Sequence, residues 1–124
     1  MSGRDTILSK KIEDVAAVNG GTVIATNVFG GHFKYNGFIE QITVRASAGG
    51  GASFAVQIRG DETSTNIEDL YYSETGQSYD SFISVDKPFD TARAEDEDLS
   101  IWLNPVADGT FTVRVDFRIM GRIG

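Results

Sequence analysis

The sequence predicts an all-β protein, a two-sheet antiparallel sandwich, and three observations predict it. Apolar and polar side chains alternate strictly near the C-terminus, the same alternation recurs in three shorter segments, and turn residues punctuate the chain between them. A period of two puts all the apolar side chains of an extended strand on one face, so that face is buried and the other is wet. About seven or eight short strands in roughly 100 residues, separated by turn signals, call for two packed sheets.

The clearest strand places Phe111, Val113, Val115, Phe117 and Ile119 on one side and Thr110, Thr112, Arg114, Asp116 and Arg118 on the other. Leu99, Ile101 and Leu103 alternate with Ser100, Trp102 and Asn104, and the turn Asn104-Pro105-Val106-Ala107-Asp108-Gly109 predicts an antiparallel hairpin between these two segments. A second hairpin is expected where Ile42, Val44 and Ala46 meet Phe54, Val56 and Ile58 across Ala48-Gly49-Gly50-Gly51-Ala52. Less regular strands fall at 22–28, 33–40, 67–73 and 79–87, bounded by Gly20-Gly21, Gly30-Gly31, Gly76 and Pro88. The predicted core is Ile42, Val44, Phe54, Val56, Ile58, Leu99, Ile101, Leu103, Phe111, Val113, Val115 and Phe117. Strand order, meander or Greek key, is not fixed by periodicity.

Residues 1–20 differ in texture. Leu8, Ile12, Val15 and Ala16 stand at helical spacing, with Asp5 or Thr6 available as a cap, so the segment reads as a short helix or an extended arm. Asn19-Gly20-Gly21 reads as a hinge dividing an arm, 1–20, from a sandwich domain, 21–124. Ile7, Leu8, Ile12 and Val15 are too few to form a core alone, so the arm is expected to dock on a neighbouring subunit or partner, and its removal to leave a folded β protein.

The 124 residues suit one domain, and 40% hydrophobic content suffices for a core. No apolar run approaches the roughly 20 residues that cross a bilayer, and MSGRDTILSKK lacks a signal peptide's apolar stretch, so the reading is no membrane and synthesis in the cytoplasm. Absence of cysteine removes disulfides and thiolate chemistry. A net charge of −7 repels phosphate backbones, which argues against nucleic acid.

Nothing in the chain spells catalysis. His32 is alone, no serine lies in a Gly-x-Ser-x-Gly elbow, and the glycine tip at 49–51 is followed by a strand rather than a phosphate-binding helix. The acids Asp61, Glu62, Glu68, Asp69 and Glu95 to Asp98 lack calcium-loop spacing and read as solvated turns, so no metal and no cofactor is expected. Arg59-Gly60-Asp61 reads as a strand exit rather than a recognition tripeptide. Trp102 falls by parity on the solvent face of its strand, and Tyr71, Tyr72 and Tyr79 add amphipathic surface of the kind enriched in interfaces. The candidate interface is therefore Ile7, Leu8, Ile12, Val15, Tyr71, Tyr72, Tyr79 and Trp102.

The succession 37–44, 54–58, 70–72, 99–103 and 111–117 resembles small jelly-roll proteins of tailed-bacteriophage virions, the capsid decoration or cement type and related head or tail appendages. The resemblance is one of strand rhythm over residues 22–120 and carries no site residue across. It implies a jelly roll and a non-enzymatic virion structural protein, a homo-oligomer, often trimeric, that contacts a major capsid or other virion protein. The alternative is a carbohydrate-binding sandwich in which Trp102 and the tyrosines stack on sugar rings.

Overall fold

The alternation of Phe111 to Ile119 becomes the longest ladder of the molecule. In the computed structural model, which describes residues 6–26, 28, 34–60, 70–90 and 99–123, this segment lies within a 15-residue strand flanked on both sides. The strands are β1 (Thr6–Ala17), β2 (Thr22–Ala25), β3 (Lys34–Gly49), β4 (Phe54–Arg59), β5 (Leu70–Gln77), β6 (Ile83–Asp90), β7 (Ser100–Pro105) and β8 (Gly109–Ile123). They form two four-stranded antiparallel sheets, in the orders β1-β8-β3-β6 and β2-β7-β4-β5. All twelve predicted core residues are buried between the sheets, joined by Ile39, Phe89 and Ile119.

Both predicted hairpins are corrected. β7 and β8 belong to different sheets, as do β3 and β4, so the turns at 104–109 and 48–52 are arches that carry the chain from one sheet to the other. Turn chemistry reverses a chain equally well within a sheet or between sheets; which it does depends on partners far away in sequence. Here β8 pairs with β1 and β3, and β7 with β2 and β4. The pairs β1–β8, β2–β7, β3–β6 and β4–β5 are those of one long hairpin folded over on itself, successive pairs alternating between the sheets.

The described part of the N-terminal segment is a strand, not a helix. Residues 6–17 are β1, an edge strand paired along β8 from Thr6↔Ile119 to Ala17↔Gly109. Leu8, Ile12 and Val15 pack on the core from this edge, and Ala17 is buried in it.

The turns β1–β2, β3–β4, β5–β6 and β7–β8 meet at one end of the sandwich. Asn19 donates from its backbone N–H to Asp108 Oδ1 (2.9 Å) and from Nδ2 to the Pro105 carbonyl (3.0 Å), and the Gly20 N–H donates to Asn104 Oδ1 (2.8 Å). Gly50 N–H reaches the Asp108 carbonyl and Val106 N–H the Ser53 carbonyl, both at 3.1 Å. β2, β4 and β6 finish at the opposite end, where β1 starts and β8 finishes. His32, Asp61 and the acid groups 61–69 and 95–98 lie outside the described residues.

Candidate functional site

The eight residues expected at an interface are dispersed. Tyr79 is half-buried and packs against the core: the Asp80 N–H bonds to the Val44 carbonyl (2.9 Å) and folds the β5–β6 turn back over the sandwich end. Its ring stacks on Phe111 (5.8 Å) and tilts against Phe54 (4.9 Å), and its hydroxyl donates to the Gly50 carbonyl (2.8 Å), with the Ser53 carbonyl at 3.3 Å. Burial raises its pKa. Tyr72 pairs with Ile58 and is buried; burial first, and then the charge of Glu74, raises its pKa. Tyr71 meets Phe89 edge to face at 6.5 Å. Of the β1 residues, Leu8, Ile12 and Val15 face inward, and Ile7 faces out at 59% exposure.

On the outer face of the first sheet, register places Ile7, Arg118, Phe38 and Pro88 in one row across β1, β8, β3 and β6. The Arg118 guanidinium lies 4.6 Å over the Phe38 ring, and its Nε forms an ion pair with Glu40 (2.8 Å). Met120 follows on β8 and is exposed. The next row is polar: Ser9, Asp116, Gln41 and Ser84. Asp116 is only 6% exposed although it faces outward, because three side chains close over it. Ser9 Oγ (2.5 Å) and Arg114 Nε (3.0 Å) donate to Oδ1, and Gln41 Nε2 (2.8 Å) donates to Oδ2. Burial pushes the Asp116 pKa up, but those hydrogen bonds and the Arg114 charge outweigh it and hold the carboxyl below its ordinary value. The cluster joins β1, β8 and β3 through residues 107 and 75 positions apart in the chain, so no local pattern could reveal it.

On the second sheet Trp102 occupies the outer face, as parity predicts, in a row with Val23, Gln57 and Ser73. Its ring is engaged. Arg59 stands over it at 4.9 Å, oriented by a bond from Nε to Gln57 Oε1 (2.7 Å), and burial lowers the arginine's pKa. Gly21 lies so close that a Cβ there would sit 2.2 Å from the indole, at a φ of +106° that side chains avoid.

The sheet edges are blunted. In the first sheet, Lys10 on β1 and Lys87 on β6 stand opposite the buried Val115 and Ile39, which puts a charge on the inward side of each edge. Each strand also breaks register beside an aspartate at positive φ, Asp14 (52°) and Asp86 (49°), and β6 carries Pro88. In the second sheet β2 has four residues and a register shift, and β5 has two shifts. These features oppose strand addition, which leaves faces and ends for contact.

Among the described residues no group of three or more His, Cys, Asp or Glu side chains is placed to hold a metal, and no helix is long and apolar enough to cross a membrane. No protein-family model matches the chain, and no curated protein matches it. Among solved structures it is similar to Bacillus endospore appendages, described as disulfide-linked pili, at 11% identity and a TM-score of 0.43, covering 95% of this chain and 93% of that one. It is similar to Tomato aspermy virus at 14% identity and 0.46, covering 98% and 79%. A third likeness is to the SPBc2 prophage-derived protein YomS at 16% identity and 0.41, covering 95% and 97%. These values assign the chain to no family.

Proposed function

We propose that this protein is a non-enzymatic, self-associating structural component of a virion, a jelly roll of the decoration or appendage kind that works through protein contacts. The folded-over hairpin order of its strands supports the jelly-roll reading. The observation that carries the assembly reading is the apolar surface left on an acidic domain whose sheet edges are blunted: Ile7, Val18, Phe82, Val106 and Met120 are each about half exposed or more. Ile7 and Met120, beside Arg118 on the first sheet, are the proposed contact with a major capsid or other virion protein. Sugar stacking would need an open aromatic face, whereas Trp102 lies beneath Arg59 and Tyr79 is stacked on Phe111.

The test combines light scattering behind size exclusion with co-sedimentation on purified phage particles lacking the protein. Self-association, together with particle binding lost in Ile7→Glu, is the expected result. A monomer at every concentration that stays in the supernatant while the particles pellet would overturn the reading.

A further inference from the structure

The chain contains two Asn-Gly pairs, at 19–20 and 36–37. An asparagine followed by glycine is especially prone to lose its side-chain amide, because a glycine without Cβ leaves its own nitrogen unhindered for attack on the preceding side chain. The two pairs stand in different settings. Asn36 lies inside the first sheet, paired with Asp90 on one side and Gly121 on the other. Asn19 is exposed in the turn Val18 to Gly21, which the Gly21 N–H closes on the Val18 carbonyl (3.1 Å), and a Cβ on Gly20 would meet nothing within 4 Å. Water therefore reaches this second pair freely.

What restrains it is a set of bonds to the β7–β8 arch. The Gly20 N–H donates to Asn104 Oδ1 (2.8 Å), Asn19 Nδ2 to the Pro105 carbonyl (3.0 Å) and the Asn19 N–H to Asp108 Oδ1 (2.9 Å). The first bond engages the proton that cyclisation must remove, the second holds the amide that must leave, and the third fixes the backbone of Asn19 between them. For the ring to close, the Gly20 nitrogen must give up Asn104 and swing onto Asn19 Cγ. Reaction thus requires the turn to part from the arch, a local opening that leaves the sheets paired.

We propose that Asn19 is a latent deamidation site, held unreactive by the β7–β8 arch through Asn104 and released when this end of the sandwich opens. In the step, the Gly20 nitrogen gives up its proton and bonds to Asn19 Cγ; the Cγ–Nδ2 bond breaks, and Nδ2 leaves as ammonia carrying that proton. One water then opens the five-membered succinimide at either carbonyl to give aspartate or isoaspartate, with no change of oxidation state. Either product lacks the donor to Pro105 and adds a negative charge beside Asp108, and isoaspartate also lengthens the turn by a backbone carbon. The original tie does not re-form, so the change is a one-way record of opening. It is independent of the assembly reading.

The test is peptide mapping by mass spectrometry of the full chain after incubation at mildly alkaline pH, folded and in urea, for the parent, Asn104→Ala and Asn104→Asp. In the folded parent Asn19 is expected to convert much more slowly than in urea, although it is exposed. Asn104→Ala should speed conversion at Asn19 by about three- to tenfold, the factor that one net hydrogen bond supplies, while Asn36 keeps the parent's rate. Asn104→Asp retains an oxygen acceptor and should stay close to the parent. An Asn19 that converts equally fast folded and in urea overturns the proposal without recourse to any variant. So does an Asn104→Ala rate equal to the parent's, or an Asn104→Asp rate equal to that of Asn104→Ala. A rise at Asn36 matching that at Asn19 marks global unfolding in place of a gate at the turn, and overturns the assignment to Asn104.

Discussion

Replacing Asp116 with alanine removes the acceptor that joins three neighbouring strands. Ser9, Arg114 and Gln41 donate to its two oxygens over 2.5 to 3.0 Å, in a site where the residue is 6% exposed. A hydrogen bond to a charged group contributes about 1.5 to 3 kcal/mol, and three are lost. The cost falls short of the sum because Ser9 and Arg114 are exposed and find water, whereas Gln41 is half-buried. A loss of about 2 to 3 kcal/mol follows, which at the usual urea sensitivity moves the midpoint down by about 1 to 2 M. The pH dependence has a definite sign. The folded carboxyl titrates below its ordinary value of 3.8, so its stabilisation is complete above that value and disappears as pH falls through the folded pKa. Urea unfolding of parent and Asp116→Ala between pH 7 and pH 3 should therefore show curves well separated at pH 7 that converge toward the acid end. Curves that coincide at pH 7, or a gap unchanged at the lowest pH where both still fold, would refute the account of this cluster. In a double-mutant cycle, Ser9→Ala should be less costly in the Asp116→Ala background than in the parent.

Other expectations concern the core, one close approach and the edge strand. Phe117→Ala empties a fully buried position between Leu8 and Ile39, where the ring meets Phe89 at 5.5 Å, and should cost about 3 to 5 kcal/mol in thermal or urea unfolding; a melt overlaying the parent's would reject the face assignment. Arg45→Ala, on the exposed face of the same sheet, should stay within about 0.5 kcal/mol of the parent. Gly21→Ala brings a methyl group against the indole at an unfavourable φ and should cost about 1 to 3 kcal/mol, accompanied by a shift in Trp102 fluorescence; unchanged emission and stability would contradict the close contact. Deleting residues 1–18 strips β1 from β8 and uncovers its hydrogen-bonding edge, so the truncated chain should lose stability and aggregate in light scattering; a soluble product with the parent's melting point would restore the detachable arm that the sequence suggests.

Sequence alone determined the all-β class and the centre of the core, because a strand with one wet face records its burial in the parity of its own side chains; the alternating apolar residues of Phe111 to Phe117, Leu99 to Leu103 and Phe54 to Ile58 carry that record and are all buried as it requires. The N-terminal strand was hidden for a physical reason. Its inward positions are Leu8, Lys10 and Ile12, and the bulge at Asp14 then shifts the parity to Val15 and Ala17. A lysine in the series and one extra residue turn a spacing of two into spacings of four and three, which mimic a helix. Trp102 was placed on the correct face, but its cover by Arg59 and Gly21 joins three segments that are distant in sequence. The packing of Tyr79 and the enclosure of Asp116 were hidden on the same ground, since one is folded against the core by a turn bonded to Val44 and the other is enclosed by Ser9 and Gln41. Whether a turn closes a hairpin or arches between sheets was likewise settled by pairing across the whole chain, as β8 lying between β1 and β3 makes plain. Local pattern fixes which face of each strand is wet; only long-range pairing decides which strands are neighbours, and with that, which side chains meet at the surface.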